Sequence, residues 1–173
     1  MDTYTIRRFH PGDEQSLSNI MRCAIEQIGP RGYSQMQIDA WAARTHPAQR
    51  YLDRAGRGDV VILALDGGGA PVAYSLVEPD GHVDHLYCHP DHAGKGLGKR
   101  LLDEVDAVAQ ELGLTRLYTE ASELARPVFE RAGYSVTTRR DFDIDGVPIH
   151  NYAMEKLTGF MFAQQPMPGP QVT

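Results

Sequence analysis

The sequence has no surplus of positive charge, few cysteines and no long apolar run, and each shortage removes a class of protein. Its 173 residues carry 17 Lys and Arg against 23 Asp and Glu. A general nucleic-acid binder needs the opposite balance. The net charge of −6 leans instead toward a cationic or amine-bearing partner. Two cysteines, Cys23 and Cys88, make no disulfide framework. The longest aliphatic stretch, residues 60–65, is far too short to span a bilayer. The first residues, Met1-Asp2-Thr3-Tyr4, lack the basic-then-apolar layout of a secretory signal. There are no internal repeats. These shortages predict a cytoplasmic protein with one domain over residues 1–158 and a flexible C-terminal tail at 159–173. A chain of this length buries roughly 70% of its unfolded surface, enough for a core without staples.

What is present has a readable order. Residues 3–9 read as a strand that Pro11-Gly12 breaks. Leu17, Ile20, Met21, Ala24, Ile25 and Ile28 then recur at helical spacing, and Gly29-Pro30 stops that helix. A second helix is predicted over 34–43 with Ser34 as N-cap, and a third short one after Pro47. Residues 59–65, 72–77 and 82–88 read as three successive strands, an antiparallel meander with Gly-rich turns between them. From Leu97 the period becomes helical through Leu101, Val105, Val108 and Leu112, with Gly113 as the stop. A strand at 115–119 and a helix at 122–132 follow, with Pro127 in or near its first turn. Residues 134–144 and 147–157 flank Asp145-Gly146, a hairpin turn. The order predicts an α+β, α/β-layered domain in which helices cover a mixed sheet.

The most informative segment runs from His82 to Arg100: a strand, a loop, and the first turn of a long helix. Gly94, Gly96 and Gly98 leave backbone N–H groups uncovered where a helix N-terminus attracts an anion. Lys95, Lys99 and Arg100 add local positive charge. The demand is for a phosphate or pyrophosphate. A Walker loop is excluded, because Ala93 stands at its first glycine and Arg100 at its hydroxyl position. A dinucleotide fingerprint is excluded by Leu101.

The stretch Leu86-Tyr87-Cys88 followed by Ala93-Gly94-Lys95-Gly96-Leu97-Gly98 resembles the coenzyme A motif of the Gcn5-related N-acetyltransferase superfamily. Val128-Phe129-Glu130-Arg131-Ala132-Gly133-Tyr134 resembles that superfamily's second motif, and the likeness covers about residues 3 to 157. The resemblance implies an acyl-CoA N-acyltransferase fold with a mostly antiparallel sheet. It implies acetyl-coenzyme A as co-substrate and a primary amine as acceptor. Leu86, Tyr87 and Cys88 would lie along the pantetheine arm, and Ala93, Gly94, Lys95, Gly96, Leu97, Gly98 and Lys99 around the pyrophosphate. Two departures stand out: Ala93 replaces the usual Arg or Gln, and Phe129 replaces a tyrosine that commonly protonates the leaving thiolate.

The family's general bases recur two and four residues before the Leu of the motif, which here are Asp84 and His82. Strand alternation would put His82, Asp84, Leu86 and Cys88 on one face. His82 titrates near neutrality and could take the ammonium proton directly or through water; Asp84 could orient it or act instead. A backbone N–H near Leu86 could hold the oxyanion. Solvent or Cys88 could supply the leaving-group proton, or the thiolate could depart unassisted. His82, Asp84, His85, Cys88, His89, Asp91 and His92 include zinc-ligand types, but alternation splits them over two faces, so no metal is expected. Glu26, Tyr33 and Trp41 are candidate walls of the acceptor pocket. A small molecule or a peptide would serve equally as the amine's carrier, no nucleic acid or membrane partner is expected, and the final hairpin offers a surface for a homodimer. The two departures also motivate a non-catalytic acyl-coenzyme A sensor, and a transferase for longer acyl groups is a third reading.

Overall fold

The computed structural model describes residues 3–159. The expected tail at 159–173 lies outside the described residues apart from Gly159. Strands β1 (Thr5–Arg8), β2 (Val60–Leu65), β3 (Pro71–Val77) and β4 (Val83–Cys88) form one antiparallel sheet in that order. The period-2 pattern of β2 sorts its side chains between two cores. Val61, Leu63 and Leu65 pack with Leu17 and Ile20 of α1 (Glu14–Gln27) and Tyr51 of α3 (Ala48–Gly56). Ile62 and Ala64 share the other core with Leu101, Val105 and Val108 of α4 (Leu97–Glu111). Helices therefore cover both faces of this sheet, the layering the sequence predicts.

Strands β5 (Arg116–Ala121), β6 (Ser135–Ile144) and β7 (Val147–Leu157) form a second antiparallel sheet in the order β5-β7-β6. Asp145 and Gly146 turn the β6–β7 hairpin with φ of 49° and 83°, both left-handed, as a tight two-residue hairpin turn requires. Helix α2 (Gln35–Ala42) opens on a capping box: Ser34 Oγ accepts from Gln37 N–H at 3.3 Å, and Gln37 Oε1 accepts from Ser34 N–H at 2.9 Å. Gln37 Nε2 also donates to the Pro148 carbonyl at 2.9 Å, which ties α2 to the hairpin. The helix expected over 122–132 is shorter, α5 (Arg126–Arg131). Ser122 accepts the Ala125 N–H through both its carbonyl and its hydroxyl, which makes a turn, and Pro127 then falls in the first helical turn.

The two sheets meet at one point. His82 and Tyr118 form an isolated parallel bridge, the only parallel pairing among the described residues. Tyr118 N–H donates to the Gly81 carbonyl at 3.0 Å, and Thr119 Oγ1 donates to the Val83 carbonyl at 2.7 Å. Beyond Val83 no ladder joins β4 to β5 among the described residues. Gly81 is required at this joint, because its φ is +96° and an added Cβ would lie 2.4 Å from the Arg116 carbonyl oxygen. Gly81→Ala is expected to cost about 1–3 kcal/mol of unfolding free energy by urea titration. Gly69→Ala, with φ of +85° but open space around it, should cost less.

Candidate active site

The divergence of β4 from β5 leaves two cavities, of about 560 Å³ and 170 Å³, that share Trp41, Leu86, Tyr87, Ser122 and Ala125 in their walls. The larger is lined by Leu86, Tyr87, Cys88, Ala93, Gly94, Gly96, Leu97, Gly98 and Lys99, so the segment expected around a diphosphate and its arm is brought together. Lys95 is exposed beside the loop and does not line the cavity.

The loop conformation follows from its glycines. Gly94 and Gly96 have φ of +77° and +79°, with nothing within 4 Å of an added Cβ. Their lack of a side chain permits the turn and keeps its surface open. A Cβ on Gly98 would come within 2.9 Å of Val128 Cγ1, so α4 and α5 approach each other over a glycine. Gly96 caps α4 without any side-chain hydrogen bond, which leaves the first-turn N–H groups to an incoming acceptor. Burial pushes the Cys88 thiol up to about 11, so Cys88 stays protonated and packs against the apolar core. Phe129 is buried edge-on to Tyr134, with centroids 5.0 Å apart, and offers no proton.

The smaller cavity is lined by Tyr33, Trp41, Asp84, Glu120, Phe142, Ile144, Ile149, His150 and Asn151, among others. Tyr33 and Trp41 therefore do reach it; Glu26 is exposed and lines neither cavity. Tyr33 OH donates to the His150 carbonyl at 3.2 Å and accepts from Glu123 N–H at 2.8 Å. Glu123 Oε2 accepts from His150 Nε2 at 2.7 Å and from Tyr152 OH at 2.8 Å. These bonds lash the loop before α2, the loop after β5 and strand β7 together around the cavity.

The expected common face of His82, Asp84, Leu86 and Cys88 is formed only in part: Asp84 and Leu86 line the smaller cavity, Leu86 and Cys88 the larger, and His82 neither. The β3–β4 register shifts between Leu76 and Val77, and Val83 joins the same core as Leu86 and Cys88. A bulge reverses the alternation between those residues. Asp84 is thereby placed beside buried Arg54, to which it is hydrogen-bonded, and His85 Nε2 lies 3.4 Å from its Oδ2. Burial alone would raise the Asp84 carboxyl, but His85 and the Arg54 guanidinium outweigh it and hold it below its ordinary range. His85 itself is pushed down to about 3 by burial, and its Nδ1 lies 3.1 Å from Tyr74 OH, which pairs with Tyr51 OH at 2.6 Å. A continuous polar chain thus backs Asp84.

His82 lies just before β4, at the bridge, and lines neither cavity. Its Nε2 donates to Glu120 Oε2 at 2.6 Å, and Glu120 lines the smaller cavity. That hydrogen bond raises the His82 pKa and lowers that of Glu120. Glu120 was not legible as a site residue: it ends a short strand in no motif, and only the fold brings it opposite Asp84. Among the described residues no group of three or more His, Cys, Asp and Glu is placed to hold a metal ion, and no helix is long and apolar enough to cross a membrane.

A family model described as an acetyltransferase (GNAT) domain matches residues 31–156. The uncharacterized N-acetyltransferase YafP of Escherichia coli K12 is 26% identical over 154 residues, covering 89% of this chain and 96% of that protein. A crystal structure of a GCN5-related N-acetyltransferase from Rhodopseudomonas palustris is 31% identical with a TM-score of 0.80, over 91% of this chain and 97% of that one. A phosphinothricin acetyltransferase from Sinorhizobium meliloti, solved with acetyl-coenzyme A, shares the fold at 22% identity and a TM-score of 0.70, covering 96% and 95% of the two chains.

Proposed function

The chain belongs to the GNAT family of acetyltransferases, and we propose that it moves an acetyl group from acetyl-coenzyme A to a primary amine by direct attack within a ternary complex. The observation that carries this reading is the meeting of the two cavities over Leu86 and Tyr87. One is walled by the glycine loop and the other by carboxylates. Leu86 and Cys88 would flank the pantetheine arm, and the first-turn N–H groups of α4 with Lys99 would hold the diphosphate. The open surface over Gly94 and Gly96, which any Cβ would narrow, fits that group.

In the smaller cavity Asp84, kept ionised by Arg54, attracts the ammonium form of the acceptor. Glu120 accepts a proton from the amine and relays it to His82 Nε2, 2.6 Å away, once His82 is neutral. The free nitrogen pair attacks the acetyl carbon, forming the C–N bond. The oxyanion is held by a backbone N–H near Leu86 until the C–S bond breaks. The thiolate departs and takes its proton from solvent, since Phe129 has none to give and the Cys88 thiol is a weak acid, and the nitrogen sheds its second proton to solvent as the amide forms. Free thiols at Cys23 and Cys88 support a reducing, cytoplasmic setting. The exposed outer edge of β6 supports pairing of two copies.

Acetyl-coenzyme A is expected to raise the melting temperature of the native chain. Gly96→Val, which forces a branched side chain into a left-handed position, should weaken coenzyme binding about tenfold or more. An amine library read by thiol release then tests transfer. No thermal shift and no heat of binding with acetyl-coenzyme A would overturn the reading. Binding without turnover of any amine would favour the sensor.

A further inference from the structure

The smaller cavity has a pronounced division of chemistry. At its β4–β5 end it presents two hydrogen-bond acceptors, the carboxylates of Asp84 and Glu120, and Asn151 also lines it. Trp41, Phe129, Phe142, Ile144 and Ile149 give the wall a large apolar share, beside the polar Tyr33, Thr119, Ser122 and His150. No Lys or Arg lines it. The nearest cations are already engaged: Arg54 by Asp59, Glu78 and Asp84, His82 and Arg140 by Glu120, and Arg126 by Glu123 and the face of Tyr152. Its volume of about 170 Å³ compares with the roughly 150 Å³ apolar cavity that takes up one benzene molecule.

Resting on the transferase reading above, we infer that the acceptor is a compact primary amine on an uncharged, apolar body about the size of one aromatic ring, with no carboxylate or phosphate. The ammonium group answers the two carboxylates. The body fills the space between Trp41 and the hairpin. An acidic substituent would enter a site lined by two carboxylates and by no Lys or Arg, where like-charge contact and lost hydration both oppose it.

The test compares 2-phenylethylamine with phenylalanine, which adds only a carboxylate to the same skeleton, and with a lysine peptide, whose amine is carried on a large polar body. Thiol release should give kcat/KM at least about 100-fold higher for 2-phenylethylamine than for phenylalanine. Phe142→Arg sits on the exposed strand β6 and adds a cation to the wall; it should narrow that ratio by about tenfold. Calorimetry on the protein loaded with coenzyme A gives a second reading that needs no chemistry. Selective binding of 2-phenylethylamine without turnover would keep the assignment of the cavity and sink the transfer mechanism. Equal or better use of phenylalanine or the lysine peptide, or no binding of 2-phenylethylamine by either readout, would overturn the inference.

Discussion

Arg54→Ala is expected to lower the unfolding free energy by about 3–5 kcal/mol, the cost of leaving buried charge without its partner. Arg54 is 3% exposed, and its guanidinium is shared among Asp59, at 2.6 Å from Nε, Asp84 and Glu78. Burial works against its charge, and the hydrogen bonds from Asp59 and Asp84 more than restore it. Removing it leaves part-buried Asp84 without a guanidinium and buried Asp59 with only the exposed Arg57. The effect has a definite pH sign. In the native protein the Asp84 pKa is held below 3.8, so its contribution is present above that value and fades as pH falls through the folded-state pKa. In the variant, burial acts unopposed by the guanidinium and lifts that carboxyl. The gap between variant and native protein should therefore be smallest at pH below the lowered folded-state pKa and widen as pH rises above 3.8. Urea titrations at several pH values check this; a gap that stays constant with pH would show that Arg54 acts through packing alone. Arg54→Lys keeps the charge but not the fork, and should recover only part of the loss.

Glu120→Gln should reduce kcat/KM for an accepted amine by about 10²–10³-fold, the usual scale for losing a general acid–base group. It should also move the pH profile, which a merely structural role would not do. The Glu120 hydrogen bond raises His82 above its ordinary 6.5, so in the native protein activity climbs as pH rises through a value above 6.5. Without the carboxylate that support is gone, and the climb moves down toward 6.5. The variant is thus slower everywhere but reaches its plateau at lower pH. His82→Gln should abolish the same limb of the profile. A profile unchanged in position by either substitution would remove the pair from the proton path.

The sequence made the architecture legible where local chemistry decides it. Ser34, Gly96, Asp145-Gly146 and the α1 and α4 stripes each sit where capping, left-handed backbone or helical period puts them. The glycine loop was legible for the same reason, since its function depends on contiguous backbone. The acceptor site was legible only in part: Asp84, Tyr33 and Trp41 are sequence candidates that line it, whereas Glu120 and Asn151 come from strands far apart in the chain and share no local pattern with them. The bulge near Asp84 is set by the β3–β4 register and leaves no trace in the alternation of β4 itself. Reading that strand as regular placed His82 on one face with Asp84; in the fold His82 lines neither cavity, and its hydrogen-bond partner Glu120 lines the smaller one.

Nine of the ten β6 residues are exposed, and Phe142 reaches the smaller cavity from this outer ribbon. The half of the molecule that carries the glycine loop shares in the largest buried cluster, whereas the ribbon contributes a wall and little buried surface. Gene copies descended from this one would therefore diversify in diet through a few outer side chains, with the thioester-handling half inherited intact.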